Sequence, residues 1–452
     1  MRLRRHFNAR AVVGRLLPVG NGTPASARAA PPGNTLDTPL PKVYNPAKAN
    51  FYISRTAASP RRMKRYKFHT RAARGESPVD KNTGALSVPI YQTASFAFPP
   101  GEAGRAIVAG EAEGYFYSRF ANPTTAAFEA DVAALEGAEA ALAFNSGMAA
   151  ISTLVLAHAG AGDHIVTQRQ LYGGTAIFFA EQLPRFGITL TYLEEPTPEA
   201  VAAAIQPATK LVYLETPSNP LLHIVDIGGT SKAAAEAGVP IAFDNTFATP
   251  YLQRPLELGA TYALHSATKY FGGHDVIGGV VAGPASRLHD VRKTIYKDLG
   301  VAPAPSISYQ FIRGLKTMPL RMDRHCANAR AIVAFLSRHE KVAKVYYPGL
   351  RTHPGHEQAR RQMKDYGAIL AFELADGSAA RRFLEALELC VFAVSLGDAL
   401  TLVQHPPGVT HGVFEAERAA GAGMGPGFIR ISAGLEDPED IIADLAQALQ
   451  KA

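Results

Sequence analysis

The chain has 452 residues, 47% hydrophobic and 19% charged, a globular composition long enough for two domains with sizeable cores. No apolar run approaches the roughly 20 residues that span a bilayer, and two cysteines, Cys326 and Cys390, cannot build a disulfide scaffold, which points to a reducing compartment. The formal +7 divides unevenly: residues up to Arg74 hold 16 Lys or Arg against one acid, Asp37, leaving 30 bases and 38 acids for the rest. The body is mildly acidic, so nucleic acid and membrane are not expected partners.

Residues 1–65 read as a disordered basic leader, with scattered arginines, Pro31-Pro32-Gly33 and no sustained periodicity. The Arg-rich, acid-poor start is similar to an organelle transit peptide but poor in serine. A solvated basic tail or a mis-assigned start codon accounts for it better, and the expected location is cytoplasmic. From about Thr124 the pattern alternates. Helices are predicted over Ala126–Glu136 (with Gly137 as C-cap), Ala149–Ala157, 174–183, Glu199–Ile205 and Gly229–Ala237. Strands are predicted over His164–Gln168, Ile188–Leu193, Lys210–Leu214, Val239–Phe243, Tyr262–Leu264 and Val276–Ala282. This alternation predicts an α/β fold with a mostly parallel sheet that binds its ligand at the carboxyl ends of the strands. Beyond residue 320 a helix over Asn328–His339 and strands near Ala368–Leu374 and Phe428–Ser432 suit a smaller α+β domain.

Four motifs fall at or near predicted strand ends. Asn145-Ser146-Gly147-Met148 opens a helix, whose free N–H groups suit a phosphate or an ordinary N-cap. Phe243-Asp244-Asn245-Thr246 ends an apolar strand with an acid, which is costly there without a cationic partner and otherwise serves to fix a loop. His265-Ser266-Ala267-Thr268-Lys269, followed closely by two glycine pairs, offers a lysine that desolvation could convert into a Schiff-base nucleophile. Tyr115-Phe116-Tyr117-Ser118-Arg119 offers a guanidinium and a phenol for phosphate. Each alone has a structural explanation. His325-Cys326 and the His353/His356 pair lack a zinc ligand set, and no metal is expected.

Together these motifs resemble the pyridoxal 5'-phosphate (PLP) enzymes of cysteine and methionine metabolism, the trans-sulfuration family. The resemblance runs from about Phe68 to Leu449. It includes Thr83-Gly84-Ala85, Pro89-Ile90-Tyr91-Gln92-Thr93, Asn122-Pro123-Thr124, Leu171-Tyr172-Gly173-Gly174-Thr175, Glu215-Thr216-Pro217-Ser218-Asn219-Pro220, Ser395-Leu396-Gly397 and the segment Arg430–Asp437.

The resemblance implies a PLP fold of type I, like aspartate aminotransferase. It also implies a layout: an arm over 66–123 that completes a neighbouring subunit's site, a PLP-binding domain over 124–320 and a C-terminal α+β domain over 321–452. Lys269 would hold the cofactor covalently and move protons. Asp244 would face the pyridine nitrogen, Tyr172 would stack on the ring and protonate a leaving thiolate, and Asn219, supported by Glu215, would meet the phenolic oxygen. The phosphate would rest on Ser146, Gly147, Met148, Ser266 and Thr268, with Tyr117 and Arg119 reaching it from the next subunit. Arg430, with Ser395 and Asn219, would bind the carboxylate of a small amino-acid substrate. At least a homodimer is implied, and tetramers are usual in the family.

The segment Val394–Ala399 and Gln404-His405-Pro406 resemble methionine γ-lyases, as does the pair Lys297-Asp298, and cystathionine-specific members usually carry glutamate where Val394 stands. The expected reaction is γ-elimination from methionine-like amino acids, giving 2-oxobutanoate, ammonia and a thiol. The alternatives are γ-replacement on O-acetyl- or O-succinylhomoserine and cystathionine γ-lyase chemistry. Four places depart from the methionine γ-lyase pattern: Gly174 stands for a usual cysteine, the segment Leu299–Tyr309 is more similar to cystathionine γ-lyases, the Gly272–Asp275 loop is one residue short, and Pro407-Gly408 replaces Ala-Ser.

Overall fold

The computed structural model describes residues 66–109, 111–406 and 424–452. The expectations for residues 1–65 and for Pro407-Gly408 lie outside the described residues.

The helix Pro123–Glu136 shows how local sequence sets an element. Asn122 accepts a hydrogen bond from the Thr124 N–H, Pro123 occupies the first turn, and Gly137 closes the end at φ 74°. Such a cap contributes about 1 kcal/mol, and the proline suits a position whose N–H has no helical partner. The chain then enters β1 (Ala140–Phe144), a strand that the sequence reading did not identify. Four of its five residues are buried, and a short uniformly apolar run of this kind reads equally well as part of a helix.

Six further strands complete the first sheet: β2 (His164–Gln168), β3 (Thr189–Leu193), β4 (Thr209–Glu215), β5 (Ile241–Asp244), β6 (Tyr262–His265) and β7 (Gly279–Gly283). Their order is β1-β7-β6-β5-β4-β2-β3. Only β7 runs against the rest, pairing antiparallel with both β1 and β6, whereas β2–β6 pair in parallel. The expected mostly parallel α/β sheet is therefore present. It brings the carboxyl ends of β1, β2, β4, β5 and β6 to one edge.

Three boundaries moved for physical reasons. The predicted strand from Val239 begins at Ile241, after Pro240, which has no N–H to pair. The predicted strand from Val276 begins at Gly279, because Gly278 N–H is turned onto the Thr268 hydroxyl. The predicted helix over 174–183 is broken into Gly173–Ile177, a π turn at Phe178–Gln182 and a 3₁₀ turn at Leu183–Phe186 containing Pro184.

The second sheet contains β8 (Lys344–Tyr346), β9 (Ile369–Glu373), β10 (Val391–Phe392), β11 (Leu402–Gln404) and β12 (Phe428–Ser432), in the order β10-β11-β12-β9-β8. Between the sheets runs a 32-residue helix, Pro305–Leu336, far longer than the predicted Asn328–His339. It passes without a break through residues 320 and 321, where the sequence reading placed a domain boundary. Pro319 reads as a helix breaker, yet it is buried inside this helix and tertiary packing carries it. The helix stacks Phe311 on Phe128 at 5.1 Å, and its Gly314 lies so close to Phe271 that a Cβ would stand 1.9 Å from the carbonyl oxygen. The long helix thus presses on the loop that carries Lys269.

Candidate active site

Parallel register sets two carboxylates side by side. Glu215 ends β4, Asp244 ends β5, and they are direct partners in the ladder. Asp244 Oδ1 accepts from the Thr246 N–H (3.0 Å) and hydroxyl (2.5 Å), and Oδ2 accepts from Tyr213 Oη (3.3 Å). Glu215 accepts from the backbone N–H groups of Tyr172 and Asn219, each at 2.8 Å. It thereby ties the loops after β2 and β4 together. Burial raises the proton affinity of both acids, and for Glu215 the neighbouring Asp244 charge adds to it. Neither acid makes an ion pair among the described residues. A cationic group placed over Asp244 would relieve that burial cost.

Lys269 follows β6. Its Nζ donates to Ser395 Oγ, and its pKa is lowered to about 8, first by burial and second by Arg430, with Asp244 acting the other way. Arg430 projects from β12. Its Nη1 donates to Asn219 Oδ1 at 2.8 Å and its Nη2 to the Ser395 carbonyl at 2.6 Å, while its buried Nε has no partner. Burial lowers its pKa to about 10. An unsatisfied buried donor costs about 1–3 kcal/mol or more when charged, and a carboxylate reaching Nε would remove that cost.

Ser146 caps the helix Gly147–His158 by accepting from the Ala149 N–H at 3.0 Å. At the first turn, a Cβ on Gly147 would lie 2.8 Å from Ser266 Cβ and Oγ, so only glycine lets these free N–H groups meet the Ser266 turn. Met148 is half-buried beside them. Thr268 is committed elsewhere: its hydroxyl donates to the Gly278 carbonyl at 3.2 Å and accepts from the Gly278 N–H at 3.1 Å. Tyr172 is 46% exposed, and a Cβ on Gly174 would lie 2.6 Å from its ring. The departure at Gly174 therefore gives that ring its room.

The structure brings Lys269, Asp244, Glu215, Asn219, Ser395 and Arg430 into one network, with Ser146, Gly147, Met148, Ser266, Thr268 and Tyr172 around it. It does not bring Tyr117 or Arg119 there. Both are exposed, and Arg119 donates to the Lys297 carbonyl and lies 4.7 Å over the Phe120 ring. Lys297 and Asp298 pair with each other at 2.7 Å. Sequence reasoning missed Tyr213 and the role of Thr246, both of which bond Asp244. Thr246 stood inside a quoted motif, whereas a tyrosine within an apolar strand carries no signal of its own. A cleft of about 890 Å³ lined by His223, Lys344 and His353 lies apart and shares none of these residues. No group among the described residues could hold a metal ion.

The residues fit PLP: a glycine-lined helix start for phosphate, two buried carboxyls lacking a cation for the ring nitrogen, and a lysine of lowered pKa for the aldehyde. A family described as Cys/Met metabolism PLP-dependent enzyme matches residues 69–450. The chain is 49% identical over 372 residues to an L-methionine gamma-lyase of Fusobacterium nucleatum, covering 81% of this chain and 94% of that protein. It is 44% identical over 372 residues to a cystathionine gamma-lyase of Bacillus subtilis, covering 82% and 96%. The crystal structure of a Lactobacillus plantarum cystathionine gamma-lyase complexed with L-serine superposes with a TM-score of 0.80 at 40% identity, covering 85% of this chain and 99% of that one. Register, burial and likeness agree: this chain belongs to the PLP-dependent enzymes of cysteine and methionine metabolism.

Proposed function

We propose that the protein is a carbon–sulfur lyase that removes the γ-substituent of methionine-like amino acids, giving 2-oxobutanoate, ammonia and a thiol. The observation that carries the choice of substrate is Val394. It is an apolar side chain, 51% exposed, beside Ser395, where cystathionine-specific members usually carry a glutamate. The name of the Fusobacterium relative supports the same choice. Gly174 favours a second reading, cystathionine γ-lyase or O-acylhomoserine replacement chemistry, because methionine γ-lyases usually hold a cysteine there.

Bound PLP supplies an electron sink for the substrate's Cα. The chain's own residues do the rest. Arg430 presents Nε and one face of its fork to the substrate carboxylate, while Asn219 and the Ser395 carbonyl hold the fork in plane. Asp244 keeps a proton on the ring nitrogen, with Tyr213 and Thr246 fixing its oxygens. Lys269 is the cofactor's covalent anchor and, once free, the base at Cα. A pKa near 8 suits a group that must both take and return a proton near neutrality. Tyr172, tethered through its N–H to Glu215, gives a proton to the departing sulfur. Ser146, Gly147, Met148 and Ser266 would hold the phosphate, with Thr268, which the sequence also pointed to, shaping the turn through Gly278 instead.

The chain works as at least a homodimer, and as a tetramer by the family's habit, in the cytoplasm. The arm supports assembly, for Leu86 is 75% exposed, Val108 51% and Ile90 45%, surface that a second copy would cover. Arg119 and Tyr117 then reach the partner's phosphate. Two buried free cysteines are in keeping with a reducing compartment. No helix among the described residues is long and apolar enough to cross a membrane.

The test is a substrate panel with products read by mass spectrometry. Methionine alone should yield 2-oxobutanoate and methanethiol. Turnover of cystathionine with none of methionine, or of O-acylhomoserine only with added thiol, would replace this reading with the second.

A further inference from the structure

The Gly272–Asp275 loop, one residue shorter than usual, holds a contact with no part in the chemistry above. His274 Nδ1–H donates to Asp398 Oδ2 at 2.8 Å across 124 residues of sequence. The two side chains are 24% and 28% exposed, so the pair is partly shielded from solvent and from salt. Each side is itself oriented. The His274 N–H donates to the Lys269 carbonyl at 3.1 Å, and Asp398 Oδ1 accepts from the Leu400 N–H at 3.0 Å.

The Ser395–Asp398 turn needs such support. Ser395 stands at φ 84° and His274 at φ 74°, left-handed conformations that L residues hold only when surrounding contacts impose them. Ser395 also supplies both the carbonyl that orients Arg430 and the hydroxyl that receives Lys269 Nζ. Three ties join this turn to the lysine loop: the Lys269–Ser395 hydrogen bond, the seating of Gly397 on the Lys269 backbone (a Cβ there would be 3.1 Å from Lys269 C) and His274–Asp398. The first is lost whenever the Lys269 amine is covalently engaged or is moving a proton. Of the two that persist, only the hydrogen bond is directional.

We propose that His274 and Asp398 form a positioning pair that holds the Ser395 turn, and with it the carboxylate-binding face of Arg430, in place while Lys269 is occupied. This rests on the roles given above to Lys269 and Arg430. His274 touches neither substrate nor cofactor and acts through the turn.

The test uses the holoenzyme and compares His274→Gly, which deletes the ring but relaxes the left-handed backbone, with Asp398→Ala, the double variant and His274→Asn, whose amide retains an N–H donor. Glycine, which has a carboxylate but no γ-substituent, is titrated against the cofactor's visible absorbance beside kcat and KM for methionine. Losing a charge-assisted hydrogen bond that orients the clamp should weaken glycine and raise KM about 10-fold, with kcat within about threefold. The double variant should be no worse than either single, and His274→Asn should recover most of the loss. Thermal melting within a few degrees of wild type separates positioning from general damage. Singles that match wild type within twofold, or losses that multiply in the double variant, overturn the pairing. A wild-type protein that neither holds PLP nor binds glycine overturns the functional reading, and this proposal with it.

Discussion

Lys269 lies between opposing influences. Burial and Arg430 favour the neutral amine, Asp244 favours the ammonium, and burial wins, bringing the pKa to about 8. Only the neutral amine attacks an aldehyde. Protein stripped of PLP should therefore load added cofactor about tenfold faster per pH unit up to about 8, then level off, as read by stopped-flow absorbance. Stability of the stripped protein follows the same sign. Between pH 8 and the ordinary lysine range the unfolded chain binds more protons, so stability rises with pH in that window. A loading rate that goes on rising tenfold per pH unit from pH 8 to pH 10 would show that Lys269 is not desolvated. At this scale the sequence was informative wherever a residue type is rare in its setting. Lys269 after a strand and Asp244 at an apolar strand end stood out because water normally claims such groups. Tyr213 and the orphan Nε of Arg430 did not, since each acquires meaning only from what packs beside it.

At the scale of elements, the C-terminal ends of parallel strands do the gathering and the long helix does the bracing. Gly314 illustrates the bracing. No side chain fits between the helix and Phe271, because a Cβ would stand 1.9 Å from a carbonyl oxygen. Gly314→Ala should displace the Lys269 loop and cost about 1–3 kcal/mol or more, seen as a lower unfolding midpoint together with weaker retention of PLP. An unchanged midpoint would show that the contact is slack. The strands His164–Gln168 and Phe428–Ser432 have the boundaries read from sequence, because hydrophobic runs flanked by turn residues have one plausible length. The first half of Pro305–Leu336 was invisible because Pro319 and Gly314 both argue against a helix locally. Packing on Phe128 and Phe271 overrides them.

At the scale of the molecule, the described chain has Lys269, the two carboxyls and Arg430 together, but leaves Arg119 and Tyr117 exposed and outside that network. Subunit exchange tests whether a neighbour provides them. Arg119→Ala and Lys269→Ala should each be inactive alone. Mixed and reassembled, about a quarter of wild-type activity should return, because half the dimers are hybrids and each hybrid has one intact site. Mixtures as dead as their components would place Arg119 in its own subunit's site, and an active Arg119→Ala on its own would place it outside any site.

By itself the sequence determined the family and the cofactor and singled out the residues now proposed for the site, because these are residue types whose chemistry is costly to hold anywhere else: an acid at a buried strand end, a lysine beside glycines, an arginine within a buried strand. The tertiary structure alone decided how they are tuned and held. Burial moves the Lys269 pKa, the register of β4 against β5 sets Glu215 beside Asp244, and a histidine across 124 residues steadies the turn at Ser395. Those effects depend on distance and dielectric, which only the folded chain defines.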